Sequence, residues 1–410
     1  MTGHPTLPAP GEAKQLTDEH VFITGGTGFV GQAILERLLF SYPDTRISVL
    51  IRGKGSLTSA QRLVGMLRKP VFANWIESVG GKDAAEAEFA RRVSAVDGSL
   101  SRIDALPADL DVVIHSASTV SFDPPIDEAF ETNVGGANTV YDAIIATGAD
   151  PHVVHISTAY VGGMRKGISI ERSLEHEVDW RAEHTAAISA RDRVELESRL
   201  PEALRGQLEA ARAEHGKTGP QAVAAVAEAA RVAWVRERLV DFGRTRAESL
   251  GWTDVYTLTK AFAERVAEQK WGSEHRLTVL RPSIIESALR HPFPGWIDGF
   301  KVADPLILAY GRGQLPDFPG LPDSVLDVIP VDFVVNATIA AAANPPERTT
   351  PQYFQVVSGA SNPLPFHAMY ENVHDYFTEN PLPSEDGDVA VPTWKFPGGA
   401  KVEQALQDRE

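Results

Sequence analysis

The sequence contains no cysteine. Disulfides, thiolate metal sites and any route that parks an acyl group on an enzyme thiol are therefore closed to this chain. Cations are scarce as well: 39 Lys and Arg stand against 55 Asp and Glu, a net charge of −16 that repels the phosphate backbone of nucleic acid. We accordingly expect no nucleic-acid partner, and no metal. No uncharged apolar run approaches the roughly 20 residues of a membrane-spanning helix. The opening "MTGHPTLPAPGEAKQLTDEH" lacks the basic start and apolar stretch of a signal peptide. A cytoplasmic protein is the expectation.

What remains is an ordinary globular composition, 43% hydrophobic and 23% charged, over 410 residues. Short apolar, β-branched runs recur as "VFIT" at 21, "RISVLI" at 46, "RVSAV" at 92, "DVVIHS" at 111, "HVVHIS" at 152 and "RLTVLR" at 276. Runs this continuously apolar suit strands covered on both faces of a parallel sheet, and the intervals between them accommodate crossover helices. The implied fold is α/β, a doubly wound parallel sheet. One interval, 171–250, breaks the rhythm: it is rich in Ala, Glu and Arg, is interrupted at "HGKTGP", and places Val232, Val235, Leu239 and Phe242 on one stripe. It reads as a helical insertion in two parts. The chain then divides into a flexible segment 1–18, a dinucleotide-binding domain 19–170 with 251–290, the insertion 171–250, a smaller substrate-facing lobe 291–380 and a tail 381–410.

Directly after the first strand, "TGGTGFVG" sets Gly25, Gly28 and Gly31 ahead of the amphipathic "QAILERLLF". Strand, glycine loop and helix in that order bring free amides and the positive end of a helix dipole up to a pyrophosphate. The second strand ends in "VLIRGKG", offering Arg52 and Lys54 where an NAD site would present a carboxylate for the ribose. A guanidinium there suits the 2′-phosphate of NADP(H), so NADPH is the expected cofactor.

"HISTAYVGG" closes the fifth strand with Ser157 and Thr158, at the carboxyl end where such sheets bind ligands. In "GWTDVYTLTK", Tyr256 and Lys260 stand one helical turn apart on one face. Hydroxyl, phenol and ammonium make a proton-donating site for a carbonyl that accepts hydride. A neighbouring ammonium is expected to lower the phenol's pKa from its usual value near 10.

TGGTGFVG, the Ser-Thr of HIST and YTLTK together resemble the extended short-chain dehydrogenase/reductase superfamily, with its Rossmann fold. The blocks "PGWID" and "LDVIPVD", with "HSASTVSF", "HISTAYV" and "YTLTKAFAE", look like the fatty acyl-CoA reductases, the male-sterility family, from about residue 20 to about residue 375. That resemblance implies NADPH-dependent reduction of long-chain acyl-CoA to aldehyde and onward to primary alcohol. It assigns catalysis to Thr158, with Ser157 beside it, Tyr256 and Lys260. It assigns the cofactor loop to Thr24, Gly25, Thr27, Gly28, Phe29 and Gly31. Asp97 falls where the family meets the adenine; Ser116, Ala117 and Ser118 face the cofactor; Asn133 sits beside the active site; Pro282 and Ser283 lie near the nicotinamide. A turn carboxylate, an exposed helical amide and a strand-ending turn are the plainer alternatives for Asp97, Asn133 and the Pro282–Ser283 pair. Arg165, Lys166, Arg290, His291, Lys301 and Arg312 are the cations available to the phosphates of CoA. "GWIDGF" and "ADPLILAYGRG" supply apolar surface for an acyl chain, and weak contact with a membrane surface is compatible with such a substrate. Alcohol-forming relatives continue into a further helical domain, so 381–410 reads as a tail leading toward it. Two other functions remain open: a reductase of carrier-protein-bound thioesters, and a non-catalytic NADP(H) sensor.

Overall fold

The expected strands form because β-branched runs bury both faces of a sheet. In this computed structural model, which describes residues 16–396 except 122, 166, 301–302, 317–319, 386 and 395, they pair into one eight-stranded sheet. Residues 1–15 and 397–410, Lys166 and Lys301 lie outside the described residues. The strands are β1 (His20–Thr24), β2 (Arg46–Ile51), β3 (Val93–Ser99), β4 (Arg102–Ile103), β5 (Val112–His115), β6 (His152–Ile156), β7 (Leu277–Pro282) and β8 (Gln352–Val356). Their order is β8-β7-β6-β5-β1-β2-β3-β4. Strands β3, β2, β1, β5, β6 and β7 pair parallel, and β4 pairs antiparallel with β3. The order reverses between β1 and β5, which opens a ligand crevice at their carboxyl ends.

Two strands go beyond the six that apolar runs announce. β4 has two residues, too few for a pattern; β8, "QYFQV", alternates and is only half-buried, as an edge strand is. Helix α1 (Phe29–Ser41) follows the glycine loop, α2 (Gly136–Thr147) connects β5 to β6, and α6 (Val255–Ala267) precedes β7. Between β6 and α6 stand α3 (Trp180–Ser198), α4 (Pro201–His215) and α5 (Pro220–Ser249). The interval thus holds three helices where the sequence pattern shows two, because Pro201 and Pro220 each open a helix at its first turn.

The expected apolar stripe on α5 needs correction. Val235 and Leu239 are buried, but Val232 and Phe242 are 52% and 41% exposed. The buried seam runs at steps of four through Arg231, Val235, Leu239, Gly243 and Ala247, one ridge of the helix surface. Arg231 is tolerated there because Glu195, Glu228 and the Ser198 hydroxyl each accept from its guanidinium at 2.8 Å.

The chain forms two compact units. The first runs to Arg281 and takes in Asn336–Gln355, so the segment carrying β8 belongs with the sheet although the sequence reading places it in a continuous lobe from 291 to 380. The second unit holds Pro282–Val335 and resumes at Val356. Its core gathers Tyr310, Phe366, Tyr370, Phe377 and Trp394, and Ile284–Glu286 pairs parallel with Val328–Pro330. In it Asp332, the last residue of "DVIPVD" and the first acidic residue of α7 (Val331–Ala343), ties that block to the segment just before "PGWID". The Asp332 carboxylate, 4% exposed, accepts the backbone N–H groups of Leu289, Arg290 and His291 at 3.0, 2.9 and 3.3 Å. Charge-assisted bonds to backbone amides are stronger than neutral ones. Replacing Asp332 by Ala is therefore expected to cost on the order of 3 kcal/mol of stability. Denaturant unfolding followed by fluorescence of the buried Trp296 measures it, and an unchanged midpoint would contradict the assignment.

Candidate active site

The glycines of the β1–α1 turn are required by contact. Gly25 has φ +74°, and a Cβ on it would sit 2.8 Å from the Ala117 backbone nitrogen. A Cβ on Gly31 would strike the Gly25 carbonyl, and the Gly28 N–H donates to that same carbonyl at 2.8 Å. Gly28 caps α1 with no side-chain bond, and no acidic residue stands in the helix's first turn. Thr27 and Gly28 are exposed and Phe29 half-buried. Thr24, by contrast, is fully buried: its hydroxyl accepts the Ala117 N–H at 3.2 Å and meets His115 Nδ1 at 2.8 Å. These contacts pack the turn tightly against its own backbone, the compact strand–turn–helix shape on which pyrophosphate sites are built.

At the end of β2, Arg52 and Lys54 are exposed, and the Lys54 and Leu57 backbones bond each other in both directions at 2.9 and 3.1 Å. The Arg52 carbonyl accepts from the guanidinium of Arg62. Arg62 is a third cation at this corner that sequence reasoning missed, although the Thr58–Gln61 capping box marks the helix that carries it. Asp97 pairs with Ile51 across β3 and β2 and is exposed.

Ser116, Ala117 and Ser118 follow β5 and are half-buried. Asn133 is not an exposed helical amide but a 2% exposed bridge, set in a π-helical turn, Glu131–Gly135, of the kind often found at functional sites. Its Oδ1 accepts the Thr119 N–H at 2.9 Å and its Nδ2 donates to Thr259 Oγ1 at 2.9 Å. Thr259, unremarked in the sequence, thereby joins the turn after β5 to the helix that carries Tyr256 and Lys260.

Lys260 is 3% exposed and donates from Nζ to the Ile156 carbonyl at 2.6 Å. That carbonyl immediately precedes Ser157 and Thr158, which are 4% and 5% exposed. The Thr158 hydroxyl caps the turn that follows, accepting the Tyr160 N–H at 3.4 Å, and the Ser157 hydroxyl is buried without a protein partner among the described residues. Asp254 caps α6 by accepting the Thr257 N–H at 2.7 Å, which starts the helix so that Tyr256 and Lys260 share a face.

Burial pushes the Lys260 ammonium down to about 8, opposed by the Glu264 carboxylate. The expected lowering of Tyr256 is reversed in the protein alone: burial first, then the Asp254 carboxylate, raise the phenol to about 12. Beneath lies a polar group that sequence reasoning passed over. The His115 and His155 rings are 5.1 Å apart, and His155 Nδ1 meets the Tyr141 hydroxyl at 3.0 Å. Burial, reinforced by Lys260, takes His115 down to about 3 and His155 well below its usual value, so both are neutral.

Pro282 and Ser283 open the second unit, where the Ser283 N–H donates to the Val356 carbonyl at 3.1 Å and its hydroxyl is buried without a protein partner among the described residues. Of the cations suggested for CoA, Arg165 donates to the Glu175 carbonyl at 2.9 Å. Arg290 and His291 give their backbone amides to Asp332, and Arg312 closes the helix Asp304–Gly311 in the second unit.

Fold and site define a doubly wound α/β protein whose first strand, glycine turn and helix have the arrangement of a dinucleotide-binding unit. Residues 23–338 match the NAD-binding family model described as male sterility protein, and the chain belongs to that family. It is 30% identical over 388 residues to fatty acyl-CoA reductase 2, chloroplastic, of Arabidopsis thaliana, an alignment covering 91% of this chain and 59% of that protein. It is 30% identical over 385 residues to the alcohol-forming fatty acyl-CoA reductase of Simmondsia chinensis, covering 90% of this chain and 73% of that one. The chain thus spans under two thirds of the first relative's length. Among solved structures, the terminal R domain of the myxalamid PKS-NRPS pathway shares the fold at a TM-score of 0.56 and 16% identity, over 96% of this chain and 76% of that one. No helix of the described residues is long and apolar enough to cross a membrane.

Because folding lowers the Lys260 pKa from 10.5 to about 8, the unfolded chain binds more protons between those values. The stability assignable to this group is therefore at its minimum below pH 8 and recovers as pH rises toward 10.5. Denaturant titrations of wild type and Lys260→Met should diverge by on the order of 3 kcal/mol across that range. A constant difference would mean that the ammonium keeps its ordinary pKa.

Proposed function

We infer that the protein is an NADPH-dependent reductase that takes long-chain fatty acyl-CoA to aldehyde and on to primary alcohol. The observation that carries this reading is the Lys260–Ile156 bond, which fastens the Tyr256 helix to the strand end bearing Ser157 and Thr158. The printed names of both plant relatives support the substrate class.

The glycine cradle would hold the pyrophosphate, and Arg52 with Lys54 and Arg62 the 2′-phosphate of NADPH, which supplies hydride when bound. Lys260 would hold the nicotinamide ribose. Hydride adds to the thioester carbonyl carbon, and Tyr256, whose raised pKa keeps it protonated at neutral pH, gives its proton to the oxygen. The Thr158 or Ser157 hydroxyl stabilises that oxygen as its charge develops. The C–S bond then breaks as the new hydroxyl returns its proton to the Tyr256 phenolate, CoA leaves as thiolate and the aldehyde carbonyl re-forms. Hydride attacks the thioester directly, since no cysteine exists to take up the acyl group. A second hydride and proton carry aldehyde to alcohol at the same residues. The cytoplasmic location inferred from the sequence stays part of this proposal; the Arabidopsis relative is named as chloroplastic.

The test is the ratio of NADPH consumed to CoA released from a long-chain acyl-CoA. Two indicates the alcohol and one the aldehyde; no consumption overturns the acyl-CoA reading and directs the assay to carrier-bound thioesters. Tyr256→Phe is expected to keep NADPH binding and lose roughly 100-fold or more in turnover; full activity would remove Tyr256 as the acid. Arg52→Ala should weaken NADPH binding by roughly tenfold or more and leave NADH binding unchanged, as follows from loss of one charge-assisted phosphate contact. Equal loss for both cofactors would refute the 2′-phosphate assignment.

A further inference from the structure

The residues after Thr158 combine two properties that seldom coincide. Their large apolar side chains stand in water: Ile168 is 94% exposed, Ile170 56% and Met164 55%. Their backbone is nonetheless held from several sides. The Met164 N–H donates to the Gly251 carbonyl at 2.8 Å, and Gly163, at φ +70°, lies so close to that carbonyl that no Cβ would fit. Arg265 of α6 donates to the Leu174 carbonyl at 2.6 Å. Arg281, 1% exposed and paired with the equally buried Glu264 at 2.8 Å, donates to the Arg172 carbonyl at 2.9 Å and the Ile170 carbonyl at 3.3 Å. Gln355 reaches the Ser169 hydroxyl at 2.8 Å. A buried ion pair costs desolvation, and this one is completed by carbonyls of the exposed segment, so its shape is specified.

The segment walls a cleft of about 290 Å³. Ala159, which follows Thr158 in the chain, and Thr253, three residues before Tyr256, also line it; Ile168, Ile170 and Leu174 contribute apolar wall. Arg172 pairs with Glu175 at 2.6 Å, and Arg165 donates to the Glu175 carbonyl. The apolar wall of Ile168, Ile170 and Leu174 suits a slender, apolar occupant.

We propose that this cleft seats the acyl chain of the thioester, with Ile168 and Ile170 against methylenes that lie beyond the reach of a four-carbon acyl group. The proposal rests on the thioester-reductase reading and adds to it the place where chain length is read. Ordered exposure of isoleucine is explained: the substrate's chain covers in the complex what is bare in the free protein.

The experiment compares wild type with the Ile168→Ser/Ile170→Ser double variant on butanoyl, octanoyl and hexadecanoyl thioesters of CoA. The expected result is a fall of roughly tenfold in kcat/KM for the hexadecanoyl substrate, carried by KM, with the butanoyl substrate reduced as by wild type. Retained butanoyl turnover also shows that the variant is folded. Equal loss at every length, or no loss at any, overturns the cleft assignment while leaving the reductase reading intact. A wild type that reduces none of the three fails the reductase reading, and this proposal with it. If instead wild type binds phosphatidylcholine vesicles, the variant does not, and both reduce all three thioesters equally, the apolar segment is a lipid-surface contact and the assignment fails.

Discussion

A buried ammonium has to find an acceptor, and Lys260 finds the carbonyl that ends β6. That single bond sets the distance between two pieces of chain remote in sequence, residues 156 and 260. Once it is made, Tyr256 lies one turn earlier on the same helical face, and Ser157 and Thr158 follow the accepting carbonyl. The Asn133–Thr259 bond repeats the constraint from the other side, tying the same helix to the turn after β5. The hydroxyls, the phenol and the turn after β5 are thus fixed relative to each other by the fold itself.

This also explains how three helices can lie between the strand end and the tyrosine without disturbing either. The two flanks of the insertion close on each other where the Met164 N–H meets the Gly251 carbonyl and Gly163 packs against it. What lies beyond the closure adds surface and its own seam, with Val235 and Leu239 inside. The geometry of the site is set at the base. Spacing along the chain, which misleads here, carries less information than the identity of the residues that meet.

The sheet was legible because parallel strands buried on both faces leave uninterrupted apolar runs, and the glycine cradle because strand, glycine loop and helix follow one another directly in the chain. β8 was not, since an edge strand alternates like many surface segments, and the seam of α5 was assigned the wrong neighbours because Val232 and Phe242 fit a stripe as well on paper as Arg231 and Gly243 do in the structure. Thr259 and the bridging role of Asn133 could not be read at all: the partners are 126 positions apart, and nothing local in either residue announces the other. Arg62 was obscured for a similar reason, since its neighbour is a backbone carbonyl rather than a side chain.

Electrostatics then separates the carboxyl ends of the strands into zones of different work. Arg52, Lys54 and Arg62 gather positive charge at the end of β2, at the protein surface. At β5 and β6 the situation is opposite: His115 and His155 point the same kind of side chain into the interior, and burial keeps both neutral. Had either been protonated, its charge would have added to that of Lys260 and driven the ammonium lower still. Neutral histidines instead give Thr24 and Tyr141 hydrogen-bond partners without competing for charge. Lys260 consequently remains the buried cation one helical turn from Tyr256, its ammonium lowered by burial to about 8, close enough to neutrality that small changes around it alter its protonation.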